Sequence, residues 1–158
     1  MPLRSIENVQ IVALPMPPGL TPIGNGFVGP HTVFISGRAV VFVQGTDDDE
    51  EWVEEDIPII VGPTWAGGNP LPPLQVSATV ALAGIVSADS DEVDHSRWEI
   101  TDFSTQSSVM AGTSARRVQI NVHLITQGCK NTLTNVTFHI VANGTLATPM
   151  MVVSTIIP

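Results

Sequence analysis

Nowhere in the chain do apolar residues recur at helical spacing over eleven or more positions; alternation with a period of two dominates from end to end. Successive side chains on a strand point to opposite faces, so this pattern dictates half-buried strands rather than amphipathic helices. Thirteen Gly and thirteen Pro among 158 residues fall without any period, which excludes collagen and coiled coil and sets frequent breaks between the strands. With 43% hydrophobic and only 13% charged residues, the chain has ample apolar surface to bury and is no disordered polypeptide. Its length is that of one domain.

Asn8 to Leu14 reads as a first short strand, followed by a loop whose Pro15, Pro17, Pro18, Gly19, Pro22, Gly24, Gly26, Gly29 and Pro30 deny any ladder. Residues 1–31 are therefore read as an N-terminal strand and arm, and residues 32–158 as a sandwich domain. Thr32 to Gln44 is either one strand bulged at Gly37 or a tight hairpin turning at Ser36-Gly37. Asp56 to Val61 holds Pro58, which removes a ladder donor and predicts an edge strand. Gly62 to Pro73 is a second irregular loop, with Trp65 as the one large apolar group able to pin it.

From Leu74 the alternation is clean, with Val76, Ala78, Val80 and Leu82 on one face. A further strand follows at Trp98 to Thr101, then a Ser/Thr/Gly-rich loop over residues 104–114. Val118, Ile120, Val122 and Leu124 alternate with Gln119, Asn121, His123 and Ile125, and Gln127 to Asn131 is expected to turn the chain back as a hairpin into Thr132 to Val141. Asn143-Gly144 predicts a two-residue hairpin turn leading into a last strand, Leu146 to Ile157. These elements predict an all-β fold: a two-sheet β-sandwich, jelly-roll or Greek-key like, of about eight strands with long Pro/Gly-rich loops.

Fifteen Asp plus Glu against six Lys plus Arg leave a formal net charge of −9. Nucleic-acid affinity rests on cations that neutralise phosphates, and this acidic protein has one Lys, Lys130, and scattered Arg residues, so no nucleic-acid partner is expected. Docking on an anionic membrane is disfavoured on the same ground. Cys129 is alone, which excludes an intrachain disulfide and any Cys-based zinc spacing. Met1 to Glu7 lacks the basic and apolar regions of a secretory signal, predicting synthesis in the cytoplasm. The apolar tail Pro149 to Pro158 is about half the ~20 residues of a spanning helix, so membrane insertion is not expected.

Asp47 to Asp56 carries eight of the fifteen carboxylates and reads as a solvated loop. The turn bearing Asp89, Asp91 and Asp94 is the choice for a metal, because carboxylates at i and i+2 can converge on Ca2+; no other cofactor is expected. His95 beside Asp94 has no nucleophile arranged for it, and no G-x-S-x-G elbow exists, so the chain is not read as an enzyme. On the expected hairpin, Gln119, Asn121, His123, Asn135, Thr137 and His139 form one polar platform for a neutral ligand such as a sugar. Its two imidazoles would stand roughly 13 Å apart at ~3.3 Å per residue, too far to share an ion.

The carboxyl-terminal strand is apolar on both faces, with Met150, Val152 and Ile156 on one and Met151, Val153 and Ile157 on the other. That fits either a central strand buried on both sides or an intersubunit strand over residues 146–158, and the functional expectation follows the second. The expected function is a non-catalytic, self-assembling homo-oligomeric structural protein of the coat, capsid, tail or filament type. Its partners would be copies of itself or other structural subunits, and its destination a virion or other particle. The alternative is a lectin-like or Ca-dependent binding module.

Overall fold

The computed structural model describes residues 4–15, 30–46, 51–87, 97–127 and 131–157. They form eight strands: β1 (Ser5–Pro15), β2 (Pro30–Gln44), β3 (Trp52–Pro63), β4 (Leu74–Ser87), β5 (Arg97–Val109), β6 (Arg116–Gln127), β7 (Asn131–Thr145) and β8 (Val152–Ile156). All pairings between them are antiparallel, in two four-stranded sheets of order β1-β2-β7-β4 and β5-β6-β3-β8. The expected two-sheet β-sandwich is what the chain forms. Only β1–β2 and β5–β6 are sequence neighbours paired within one sheet, and every other connection crosses the sandwich, as in Greek-key topologies.

Alternation translates directly into burial. Val118, Ile120, Val122 and Leu124 of β6 are at most 1% exposed, and between them lie half-buried polar residues. They meet Val33, Ile35, Ala39, Val41 and Val43 of β2, Ile57, Ile59 and Val61 of β3, and Val136, Phe138 and Ile140 of β7 in one core. β2 is a single strand and runs straight through Gly37, so the hairpin alternative does not hold. Its bulge lies between Val40 and Val43 instead, where Phe42 takes φ 54° and so lets both Val41 and Val43 face the core.

Four local expectations are corrected. β6 and β7 do not form a hairpin, because they belong to different sheets and their apolar faces meet across the core rather than side by side. β3 is interior rather than an edge, pairing with β6 over Trp52 to Ile60 and with β8 over Ile59 to Pro63. Pro58 is tolerated because its carbonyl accepts Ile157 N at 3.0 Å, so its missing donor falls on the β8 side, just where that ladder ends. Asn143-Gly144 makes no turn: Gly144 lies within β7 between His31 and Leu74. A Cβ there would lie 2.9 Å from Leu74 Cδ1 and 3.2 Å from Trp65 Cε3, so the glycine answers a close approach. The last strand is accordingly shorter than expected, Val152–Ile156.

Trp65 closes one end of the sandwich. Fully buried, it bridges Arg116 at the start of β6 and Leu146 just after β7. Thr64 N donates to Met151 O at 2.8 Å, Ala66 N to Thr145 O at 2.8 Å and Ala147 N to Thr64 O at 3.0 Å, so this corner joins both sheets. Pro15, Pro30, Pro63, Leu74, Val109, Arg116, Thr145 and Val152 are the strand ends gathered here. Gln44, Trp52, Ser87, Arg97, Gln127 and Asn131 mark the opposite end.

Candidate functional site

Cross-strand register decides which polar side chains meet. On the outer face of the β5-β6-β3-β8 sheet, Asp56 of β3, His123 of β6 and Asp102 of β5 share one row. Asp56 Oδ1 lies 2.7 Å from His123 Nδ1, and Glu54 Oε2 lies 3.7 Å from Nε2. The hydrogen bond to Asp56 is the main reason that the His123 pKa is raised; desolvation opposes it, and the charges of Asp56, Glu54 and Asp102 add to the rise. Glu54 and Asp56 are largely exposed, so the row is bathed in water.

Farther along β6, Gln119 Nε2 donates to Asn121 Oδ1 at 2.6 Å, and Asn121 Nδ2 to Ser104 Oγ at 3.5 Å. Chemically the row sets an imidazole among carboxylates that favour its protonated form, and ties β6 to β3. Its near serine, Ser104, faces an amide rather than a base, so no nucleophile is activated there.

The six residues expected to form one platform are divided. Gln119, Asn121 and His123 stay together on the outer face of one sheet. Asn135, Thr137 and His139 belong to β7, on the outer face of the other sheet. There His139 pairs across to Ser36 and Thr79, and Thr137 Oγ1 donates to Ala81 O at 3.3 Å. The platform required β6 and β7 to be adjacent, and the sandwich crossing removes that adjacency. Asp89, Asp91, Asp94 and His95 lie outside the described residues. Among the described residues no group of three or more His, Cys, Asp or Glu is placed to hold a metal ion. No described helix is long and apolar enough to cross a membrane.

The apolar terminal residues separate into two sets. Ile156 packs on the core, and Val153 and Ile157 are half-buried. Met150, Met151 and Val152 are more than half exposed. Met151 lines a cavity of about 360 Å3 at the Trp65 end, together with Thr64, Met110, Thr145 and Pro149 among others. Beside it Arg116, 6% exposed, donates from Nε to Ala66 O at 3.0 Å and from an Nη to Pro72 O at 2.6 Å, and has no carboxylate partner among the described residues. Burial lowers its pKa. Sequence reasoning missed both the carboxylates around His123 and the anchoring role of Arg116, since each depends on contacts more than twenty residues apart; an Arg pair opening a strand after an uncharged loop was the only local sign. No protein-family model, curated protein or solved structure matches the chain.

Proposed function

We propose that this chain is a non-catalytic structural subunit that assembles with copies of itself, of the kind that builds coats, tails or filaments. The observation that carries the reading is β8. Among the described residues this five-residue edge strand pairs only with β3, and Met150, Met151 and Val152 at its start are 51%, 57% and 58% exposed. Met151 and Ile157 direct their backbone bonds to Thr64 and Pro58. By antiparallel alternation, the N–H and C=O groups of Val152, Ser154 and Ile156 then face the free edge.

An edge of this kind accepts another strand, main-chain bonds supplying affinity and apolar side chains supplying burial. Covering three half-exposed Met and Val side chains contributes about 1 kcal/mol each. The net charge of −9 keeps such a subunit soluble while it assembles.

Sedimentation velocity across the micromolar range tests the reading. A concentration-dependent oligomer is expected, and Met150→Glu combined with Val152→Lys shifts it to monomer with the strand circular dichroism unchanged. A wild-type chain that stays monomeric at every concentration overturns it.

A further inference from the structure

The two ends of the sandwich differ sharply in charge. The described connections at the Trp65 end, residues 64–73, 110–115 and 146–151, comprise 22 residues without one Asp, Glu, Lys, Arg or His, and the stretch that joins Pro15 to Pro30, tethered to the same end, has none either. At the opposite end, the stretches that join Gln44 to Trp52 and Ser87 to Arg97 contain nine of the chain's fifteen carboxylates and no Lys or Arg. Both stretches are tethered to strand ends that lie together there. From this polarity we infer that the uncharged end is the contact end: copies of the chain associate through it and turn their acidic ends away from one another.

The inference rests on the self-assembly reading and goes beyond it, from an edge strand to a whole end and to the orientation of neighbouring subunits. Charge selects the occupant. Two copies approaching acidic end first bring like charges together, with Arg97 and Lys130 the only cations in or flanking that end's connections. Two copies meeting at the uncharged end bring none. Arg116 is buried there and committed to the carbonyls of Ala66 and Pro72, and Arg117 reaches Ser108 Oγ at 3.4 Å.

The same end supplies the apolar area. Leu71 is 55% and Val109 57% exposed, on segments separate from β8 but at the same end as Met150, Met151 and Val152, and Met151 also lines the 360 Å3 cavity there. Knobs and a socket on one uncharged surface are complementary to a second copy of that surface.

The test compares substitutions by sedimentation equilibrium. Leu71→Glu and Val109→Glu, both at exposed sites, are each expected to weaken association by about tenfold or more, while Thr79→Lys on the outer face of β4 leaves it unchanged. Wild-type oligomers that ignore both glutamates yet fall apart with Met150→Glu and Val152→Lys confine the contact to β8; they overturn this inference and leave self-assembly standing. A wild-type monomer overturns both. Association that tightens by about tenfold or more from low to high salt puts the acidic ends at the contact and overturns the inference. So does a monomer that co-sediments with phosphatidylcholine vesicles and is released by Leu71→Glu, which assigns the end to lipid.

Discussion

The ring of Phe138 occupies the space that a side chain on Gly37 would need: a Cβ built on Gly37 lies 2.6 Å from Phe138 Cζ. The two are cross-strand partners of β2 and β7, and Phe138 is fully buried. Gly37 thus serves packing rather than turning. Gly37→Ala is expected to cost about 1–3 kcal/mol through overpacking. In the double variant Gly37→Ala with Phe138→Leu, the smaller side chain gives way, and denaturant unfolding should reveal a favourable coupling of about 1 kcal/mol. Additive effects would show that the ring does not set the glycine.

His123 gives the molecule a pH dependence with a definite sign. Its pKa in the folded chain is raised above the ordinary 6.5, chiefly by the hydrogen bond to Asp56. The folded state therefore holds the proton more tightly than the unfolded chain. The row's contribution to stability is fully present below about pH 6.5 and is lost as the pH rises through the folded value. An NMR titration should place His123 above 6.5, and Asp56→Asn should bring it down. The stability difference between wild type and His123→Gln should shrink as the pH rises; parallel profiles would rule the row out as its source.

What the sequence disclosed, and what it hid, follows one physical division. Alternation reports which face of a strand is buried, and the four inward residues of β6, from Val118 to Leu124, are all in the core. Alternation says nothing of which strand lies alongside. A polar-faced, apolar-backed pair such as β6 and β7 reads identically whether its members are hydrogen-bonded neighbours or face each other across the core. Hence the strands were legible, and the platform from Gln119 to His139 was not real. Pro58 and Asn143-Gly144 mislead for a related reason: local chemistry names a cost, and the surroundings decide whether it is incurred. Pro58 sits where no donor is required, and Gly144 lies where Leu74 and Trp65 crowd the backbone. The Asp56–His123–Asp102 row joins residues 67 and 21 apart, beyond any motif.

Among the described residues Arg116 is a buried cation held by carbonyls alone, those of Ala66 and Pro72. Hydrogen bonds from a charged donor contribute about 1.5–3 kcal/mol each. Arg116→Ala should therefore destabilise the fold by about 3 kcal/mol and loosen residues 64–73, seen as faster limited proteolysis there. Arg116→Lys should recover little, because an ammonium cannot span two carbonyls as the guanidinium fork does. Arg117→Ala, next along β6 and half-buried, is the control and should cost under about 1 kcal/mol. Equal effects at the two positions would remove the anchoring role from Arg116.

Trp65 exchanges backbone bonds with Arg116 in both directions, N to O at 2.8 Å and O from N at 2.7 Å, while its indole Nε1 is buried with no partner among the described residues. Two terms of opposite sign are therefore stored in one side chain: a large apolar body filling the corner, and an unpaired donor costing about 1–3 kcal/mol. Trp65→Phe keeps the ring and the backbone bridge and discards the donor, so the smaller packing is offset and stability should stay within about 1 kcal/mol of wild type. Trp65→Ala removes the body as well and should cost about 3–5 kcal/mol. Urea unfolding of the two variants checks this, and a Phe variant as unstable as the Ala variant would mean that the indole nitrogen is satisfied after all. Because the corner also supports Met151 through Thr64, Trp65→Ala should weaken self-association as well, whereas Trp65→Phe should not.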